Sequence, residues 1–444
     1  MSADFWKIWS SSPASGRFGQ PEHSCRENKA RREAAAREDS MVEIAILGFG
    51  TVGSGVAEVI DQNQEEIRRD FPEGIHVKYI LDLRDFPDSP YADRVVHDFD
   101  IILNDPEIRV ICETMGGKEP AFTFSKKALE KGISVCTSNK ELVDALGGIL
   151  AVTAKEHNCS YLFEASVGGG IPILRPLRTS FSQEFITSIM GILNGTTNYI
   201  LTKMEKEGLP FEVALKQAQD NGYAEKNPEA DIEGYDPCRK IAILASLVTG
   251  GNVKFSQVPC EGITKIDTDD FGYAKQLHGA IKLLGVCRHN PETGKVYVRT
   301  APYLVSVDHP LYGVSDVYNG ILVHGNMVGD LMFYGSGAGK LPTASAVVSD
   351  VVECVRSIGS NINIGLTNQD ADLEDPMEWK DRYFVRIEKK DLVKATGLFG
   401  NEIQIVVNEK LPDEFAFVTP LISEAEFEEK AAQLPSYKKS IRVL

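Results

Sequence analysis

The sequence predicts an α/β protein in three parts: an N-terminal domain built on a parallel sheet, an α+β domain with a mixed sheet, and a small C-terminal unit of strands and helices. Three observations predict it. From Met41 to Phe163, short apolar runs alternate with runs of helical period, the pattern of parallel βαβ units. After Gly168-Gly169-Gly170 the strand-like runs lengthen, and past an acidic stretch they become short again.

In chain order, residues 1–40 hold seven Lys or Arg and six Asp or Glu without a periodic apolar face, so they are expected to form a disordered extension outside the folded unit. The first domain covers 41–170. In it, Val42 to Leu47 reads as a strand, and Val52, Val56, Val59, Ile60 and Ile67 mark one face of the helical stretch that follows. Val77 to Leu83, Val110 to Glu113, Ile133 to Cys136 and Tyr161 to Phe163 are further strands, with helices at Ala121 to Lys131 and Asn139 to His157. The second domain, 171–334, has strand-like runs at Phe185 to Ile192, Ala280 to Val286, Val296 to Val305 and Ile321 to Phe333. Residues 367–381 are expected to be a solvated linker, since Asn368 to Asp381 carries six acids and one lysine. In the last part, 382–444, Tyr383 to Ile387, Ile403 to Val407, Glu414 to Val418 and Ser440 to Leu444 read as strands and Glu424 to Gln433 as a helix.

Composition narrows the function. With 444 residues and a net charge of −17, the chain lacks the basic surface that nucleic-acid or membrane-surface binding requires. No apolar run approaches the roughly 20 residues of a membrane span, and no secretory h-region is present, so a cytoplasmic protein is expected. The eight cysteines are scattered without a Cys-x-x-Cys pair, which predicts reduced thiols packed as small hydrophobes.

Gly48-Phe49-Gly50-Thr51-Val52-Gly53 is a complete G-x-G-x-x-G between a predicted strand and a predicted helix. The glycines serve a tight turn, close approach of a pyrophosphate and helix–strand packing, which makes the first part a Rossmann dinucleotide-binding domain. At the end of the second strand, Asp82 or Asp85 would favour NAD and Arg84 the 2′-phosphate of NADP. The balance favours NADP, with NAD as the alternative. The densest polar segment runs from Asn221 to Lys240. There Pro237 is expected at the first turn of a helix capped by Asp236, which sets Asp236 and Lys240 four residues apart on one face. A buried lysine beside an acid is a candidate proton carrier. Glu225 and Asp231, on the preceding loop, are candidates for binding a cationic substrate group.

At these residues the chain resembles homoserine dehydrogenase, over Met41 to Asp350. The matching motifs are the glycine fingerprint, Ser138-Asn139-Lys140, Phe163 to Pro172, Gly191 to Tyr199, Gly222 to Lys240, and Gly335 to Gly339 with Pro342-Thr343-Ala344. The resemblance implies NAD(P)-dependent interconversion of L-homoserine and L-aspartate 4-semialdehyde, in threonine and methionine biosynthesis. It implies that Lys240 is the acid/base at the substrate oxygen, positioned by Asp236, with Lys140 as the competing proton carrier. Glu225, Asp231, Lys140, Asn194, Gly195 and Thr196 would contact substrate. Thr114, Ser138, Asn139, Lys140 and Gly337 would join the fingerprint and Arg84 at the cofactor. Glu164 with the carbonyls of Val167, Gly169 and Ile171 would hold a monovalent cation, sodium, unless the three glycines there simply make a tight connection. Residues 335–360 would return to complete the first domain, and 171–334 would carry substrate binding and dimerisation, in a homodimer or homotetramer. Residues 382–444 resemble an ACT domain, a βαββαβ module, in degenerate form, because the interval Asp391 to Ile403 is short for a full first helix. The competing reading is a catalytically silent NADP-binding regulator on the same fold, for which Lys240, Asp236, Glu225 or Lys140 would be altered; all four are present.

Overall fold

A computed structural model describes residues 41–444; the expected extension, 1–40, lies outside the described residues. The helices that bear on the site are α1 (Thr51–Gln62), α2 (Lys140–Glu156), α3 (Gly195–Glu207), α4 (Tyr235–Thr249), α5 (Lys340–Arg356), α6 (Leu392–Phe399) and α7 (Glu424–Ala431).

The first sheet contains β1 (Val42–Leu47), β2 (Ile75–Leu81), β3 (Val95–Val96), β4 (Ile108–Glu113), β5 (Ser134–Thr137) and β6 (Tyr161–Leu162). All pair in parallel, in the order β3-β2-β1-β4-β5-β6. The inner parts of β1 and β4, Ile44–Leu47 and Val110–Cys112, are apolar and buried on both faces because helices cover both sides of the sheet. Ala45 and Leu47 point into one core while Ile44 and Ile46 point into the other. The order reverses between β1 and β4, so a crevice opens at their carboxyl ends, where such sheets bind ligands. α5 returns from far along the chain to pack Ala344, Val347 and Val351 beside Val56, Ala57 and Ile60 of α1.

The second sheet contains β7 (Ile186–Ile192), β8 (Gly279–His289), β9 (Val296–Ser306), β10 (Tyr318–Gly325) and β11 (Gly329–Ser336), antiparallel in the order β11-β10-β7-β8-β9. The run Ile321 to Phe333, expected as one strand, is a hairpin. Its apolar residues hide a turn that Gly329 closes at φ +74°. The face of α4 bearing Ile241, Ala242 and Leu244 is packed into a core shared by both sheets. The helix that carries the candidate lysine therefore sits at the junction of the two domains.

The C-terminal unit adds β12 (Lys380–Glu388), β13 (Gln404–Val406), β14 (Glu414–Val418), β15 (Ile422–Ser423) and β16 (Lys439–Val443). Together with α6 and α7 they run βαββαβ in the spatial order β16-β12-β14-β13, β15 pairing only with the start of β12. The first helix, expected to be incomplete, is α6 of eight residues preceded by a 3₁₀ turn at Lys389–Asp391. Its two turns bury Ala395 and Phe399 in the core beneath and pack Leu392 and Leu398 at its edge. The unit does not stand apart. β16 pairs in parallel with β9, Arg442 opposite Tyr303, and the buried Arg442 guanidinium donates to Glu261 and Glu424.

The acidic stretch 367–381 departs from the solvated linker expected. It is docked along the second domain: Asn252 N–H donates to Gln369, Val296 N–H to Asp372 and Glu374 N–H to Val296. Trp379 stacks on Tyr297 with centroids 4.5 Å apart, and Asp381 is buried against Arg288 at 3.1 Å. Its charges point outward or find partners, so composition alone misjudged it.

Candidate active site

The glycine turn after β1 builds one wall of a cleft of about 530 Å³ at the β1–β4 crevice. Gly48 adopts φ +89° and donates to the Leu81 carbonyl at 2.7 Å. Thr114, at the end of β4, donates its hydroxyl to the Gly48 carbonyl at 2.8 Å and so pins the turn from the next strand. A Cβ on Gly53 would lie 2.0 Å from the Gly48 carbonyl oxygen, so this position requires glycine. Gly50, by contrast, faces open space, and the N-terminus of α1 carries no side-chain cap and no acid in its first turn. Free N–H groups at a helix N-terminus beside open space suit a pyrophosphate. Thr51 is exposed in that first turn and Val52 is half-buried. The Phe49 ring packs on Phe86 and Tyr91 and away from the cleft, while its N–H donates to Asp82 at 2.8 Å. Arg84 holds both oxygens of Asp82, at 3.0 and 3.1 Å, and its guanidinium with the Phe49 N–H depresses that carboxyl to about 2.

Glu113, which sequence reasoning passed over, organises the floor. Its buried carboxylate accepts the Thr137 hydroxyl at 2.5 Å and the Met115 N–H at 2.8 Å. Thr137 in turn accepts the Asn139 N–H at 2.9 Å. Asn139 caps α2 through Leu142 N–H and donates to the Gly117 carbonyl at 2.6 Å, while Ser138 N–H donates to the Glu113 carbonyl. One carboxylate thus sets the cleft loop Thr114–Gly117 in register with Lys140, the first residue of α2. Its sequence signal was an acid closing an otherwise apolar strand just before Gly116-Gly117.

Burial pushes Glu113 up to about 7 from an ordinary 4.5, against the lowering effect of its hydrogen bonds. The unfolded chain ionises this group first, so the wild type loses stability as pH rises between those values. Relative to wild type, Glu113→Gln is expected to gain about 3 kcal/mol between pH ~4.5 and ~7. Urea midpoints at either end of that window check this, and a difference that does not vary with pH would contradict it.

Asp236 lies at the meeting of two helix N-termini. It was expected to cap α4, but the helix begins two residues earlier, after Gly234 at φ +82°. Asp236 therefore falls in the first turn and points inward. One oxygen accepts Lys240 Nζ at 2.8 Å and the Asn194 amide at 2.9 Å; the other meets Lys140 Nζ at 2.5 Å. Burial alone would raise the Asp236 carboxyl, but the two ammonium groups overcome it and hold it well below the usual carboxylate range. Lys240 is lowered, chiefly by burial, despite Asp236. Lys140 is raised: burial opposes this, and the Asp236 charge outweighs it. Lys240 also donates to the Leu193 carbonyl at 2.8 Å.

Asn194 both caps α3, accepting Thr197 N–H at 2.8 Å, and donates to Asp231 at 2.7 Å. The capping and cleft readings therefore hold together. Burial raises the Asp231 carboxyl. Gly195 has no room for a Cβ, which would sit 2.6 Å from the Val317 carbonyl, and Thr196 donates its hydroxyl to Tyr223 at 2.6 Å, steadying the loop that leads to Asp231. Glu225 is not brought into this cluster: it is exposed, and its carboxylate has no partner among the described residues.

The homoserine dehydrogenase family model matches residues 172–352, and the model of that family's NAD-binding domain matches 48–164. The homoserine dehydrogenase of Bacillus subtilis is 37% identical over 411 residues, covering 87% of this chain and 93% of that protein. The chain belongs to the homoserine dehydrogenase family. Its relative from Synechocystis is 44% identical over 326 residues, 72% of this chain and 75% of that one. The crystal structure of the Thiobacillus denitrificans homoserine dehydrogenase superimposes with a TM-score of 0.82 at 30% identity, covering 91% and 99% of the two chains. A hyperthermophilic archaeal homoserine dehydrogenase, solved in complex with NADPH, gives 0.60 at 28% identity over 71% and 98%.

In this homoserine dehydrogenase the connection between domains is held by Glu164. Its carboxylate accepts the N–H groups of Ile173, Leu174 and Arg175 at 2.6, 2.9 and 2.7 Å, so it is committed to the start of the next helix. The carbonyls of Val167, Gly169 and Ile171 accept no hydrogen bond among the described residues, and neutral oxygens of this kind suit a hard monovalent ion. No cluster of three His, Cys, Asp or Glu able to hold a metal occurs among the described residues. Gly337 packs against Gly169 and Asn319: a Cβ there would be 1.9 Å from the Asn319 amide nitrogen. Asp350 on α5, missed at the sequence level, accepts the Glu164 N–H at 2.8 Å and Arg175 at 2.9 Å, fastening the returning helix to the hinge.

Proposed function

We propose that this homoserine dehydrogenase interconverts L-homoserine and L-aspartate 4-semialdehyde with NADP, NAD being the alternative, and that Lys240 handles the proton at the substrate oxygen. When bound, the nicotinamide supplies the acceptor or donor of hydride at substrate C4. The observation that carries the reading is the Lys240–Asp236–Lys140 contact, made where α2 of the cofactor domain meets α4 of the second domain. Lys240 uses two of its three N–H donors on Leu193 and Asp236, leaving one direction for a substrate oxygen. In oxidation, neutral Lys240 accepts the hydroxyl proton as hydride leaves C4; in reduction, its ammonium returns that proton. Lys140, more exposed and raised, holds charge and orients the substrate. Asp231, oriented by the Asn194 amide, receives the α-ammonium group. Lys240, Asp236 and Lys140 meeting in one contact disfavours a silent regulator.

Within this reading, 41–170 with 335–360 form the cofactor domain, supported by the packing of α5 on α1. Residues 171–334 bind substrate and form a homodimer or homotetramer, supported by the exposed Tyr318, Leu331, Met332 and Tyr334 on β10 and β11. Residues 382–444 act as a degenerate ACT-like unit in assembly, supported by their strand order. A sodium ion on the Val167, Gly169 and Ile171 carbonyls stiffens the hinge. The cytoplasm is the proposed compartment, supported by the free cysteines, seven among the described residues; no helix there is long and apolar enough to cross a membrane. The deciding experiment is homoserine-dependent reduction of NADP⁺ and of NAD⁺. Reduction of either is expected, faster with NADP⁺, and reduction of neither overturns the reading.

A further inference from the structure

We propose that His97 is a cofactor-specificity residue, whose imidazolium beside Arg84 selects the dinucleotide carrying a 2′-phosphate over the one carrying a 2′-hydroxyl. His97 lies just past the carboxyl end of β3, and lines the same cleft as Asp82 and Arg84 at the end of β2. Its Nδ1 is 2.7 Å from the backbone carbonyl of Asp82, and its Nε2 is 3.1 Å from a carboxylate oxygen of Asp85. Both partners can only accept. A neutral imidazole has a single N–H, so it satisfies one of them; the imidazolium satisfies both. The geometry thus calls for the charged ring without reference to any titration.

Asp82 and Asp85 contact the ring, and Arg84, paired with Asp82, lines the same cleft; the neighbouring Asp98 is turned to its own helix, accepting the Asp100 N–H at 2.9 Å. With the ring protonated, the two carboxylates are matched by two cations. Without that proton the mouth carries a net negative charge, which repels a 2′-phosphate and leaves a 2′-hydroxyl nearly indifferent. The Asp82 carbonyl, with help from Asp85, raises the imidazole, so the loss comes at higher pH than for a free imidazole.

The proposal rests on the cofactor reading above and is tested apart from it. Binding of NADPH and NADH to the full chain is titrated by nucleotide fluorescence from pH ~7 to ~9, above the phosphate's own second ionisation near 6. The wild-type NADPH:NADH affinity ratio is expected to fall about tenfold across that range, the effect of one unit charge several ångströms from the phosphate. His97→Gln is expected to give a flat ratio at the wild-type alkaline value, and His97→Lys a flat ratio at the neutral value. A wild-type ratio independent of pH, or a His97→Gln ratio that keeps the wild-type slope, overturns the role of His97. Binding of neither nucleotide by the wild type overturns the cofactor reading itself, and the proposal with it.

Discussion

Replacing Lys240 by alanine is expected to lower kcat for homoserine oxidation by roughly 10³-fold, within the range for losing a positioned general base. The side chain is buried, is fixed by Leu193 and Asp236, and has its proton loosened by burial. It lies outside the glycine cleft, so the loss should appear in kcat with NADPH binding retained. The pH dependence carries the same sign argument. Oxidation needs neutral Lys240, so its rate rises with pH, and burial places that rise below the ordinary lysine range. Reduction needs the ammonium, so its rate falls as pH rises. Steady-state rates of Lys240→Ala beside Lys140→Ala separate the two lysines: turnover kept in the first and lost in the second would transfer the proton role to Lys140.

Asp236→Asn should damage both stability and rate. The buried carboxylate is the shared counter-charge of two ammonium groups. An asparagine offers one acceptor where two are needed, and its amide hydrogens face donors. Lys140, partly exposed, can turn to water; Lys240 cannot. Removing one partner of a buried pair costs about 3–5 kcal/mol, a large share of the ~5–15 kcal/mol typical of a folded protein. A fall in urea midpoint of that size is the expected result. The surviving activity should show its alkaline rise shifted to lower pH, because the anion that held the Lys240 proton is gone. An unshifted pH profile would remove Asp236 from the proton pathway and leave it a structural role.

Much of the site was legible because it depends on local pattern. Gly48, Gly50 and Gly53 are spaced for a turn whose sterics are set within a few residues, and the structure shows the crowding at Gly53 that the motif implies. Asp236 and Lys240 meet because four residues make one helical turn. The start of α4 lies two residues before the expected one, since the left-handed Gly234 outweighed the preference of Pro237 for the first position. Glu113 and Asp350 escaped notice because each is a lone acid whose partners lie on other strands or helices. Motif position assigns Phe49 and Gly337 to the cofactor; what it does not reveal is that the Phe49 ring packs on Phe86 and Tyr91 and that Gly337 fits closely against Asn319.

The parallel first domain, the glycine turn and the Asp236–Lys240 pair are legible in the chain alone, because period and spacing act over one strand or one helical turn. Packing between distant segments, by contrast, brings Lys140 to share Asp236 from across the domain junction. It likewise lets Glu113 tie the cleft loop to α2, joins β16 to β9 and docks the acidic linker. Those pairings join residues distant in the chain, and their strength comes from burial that no local pattern encodes.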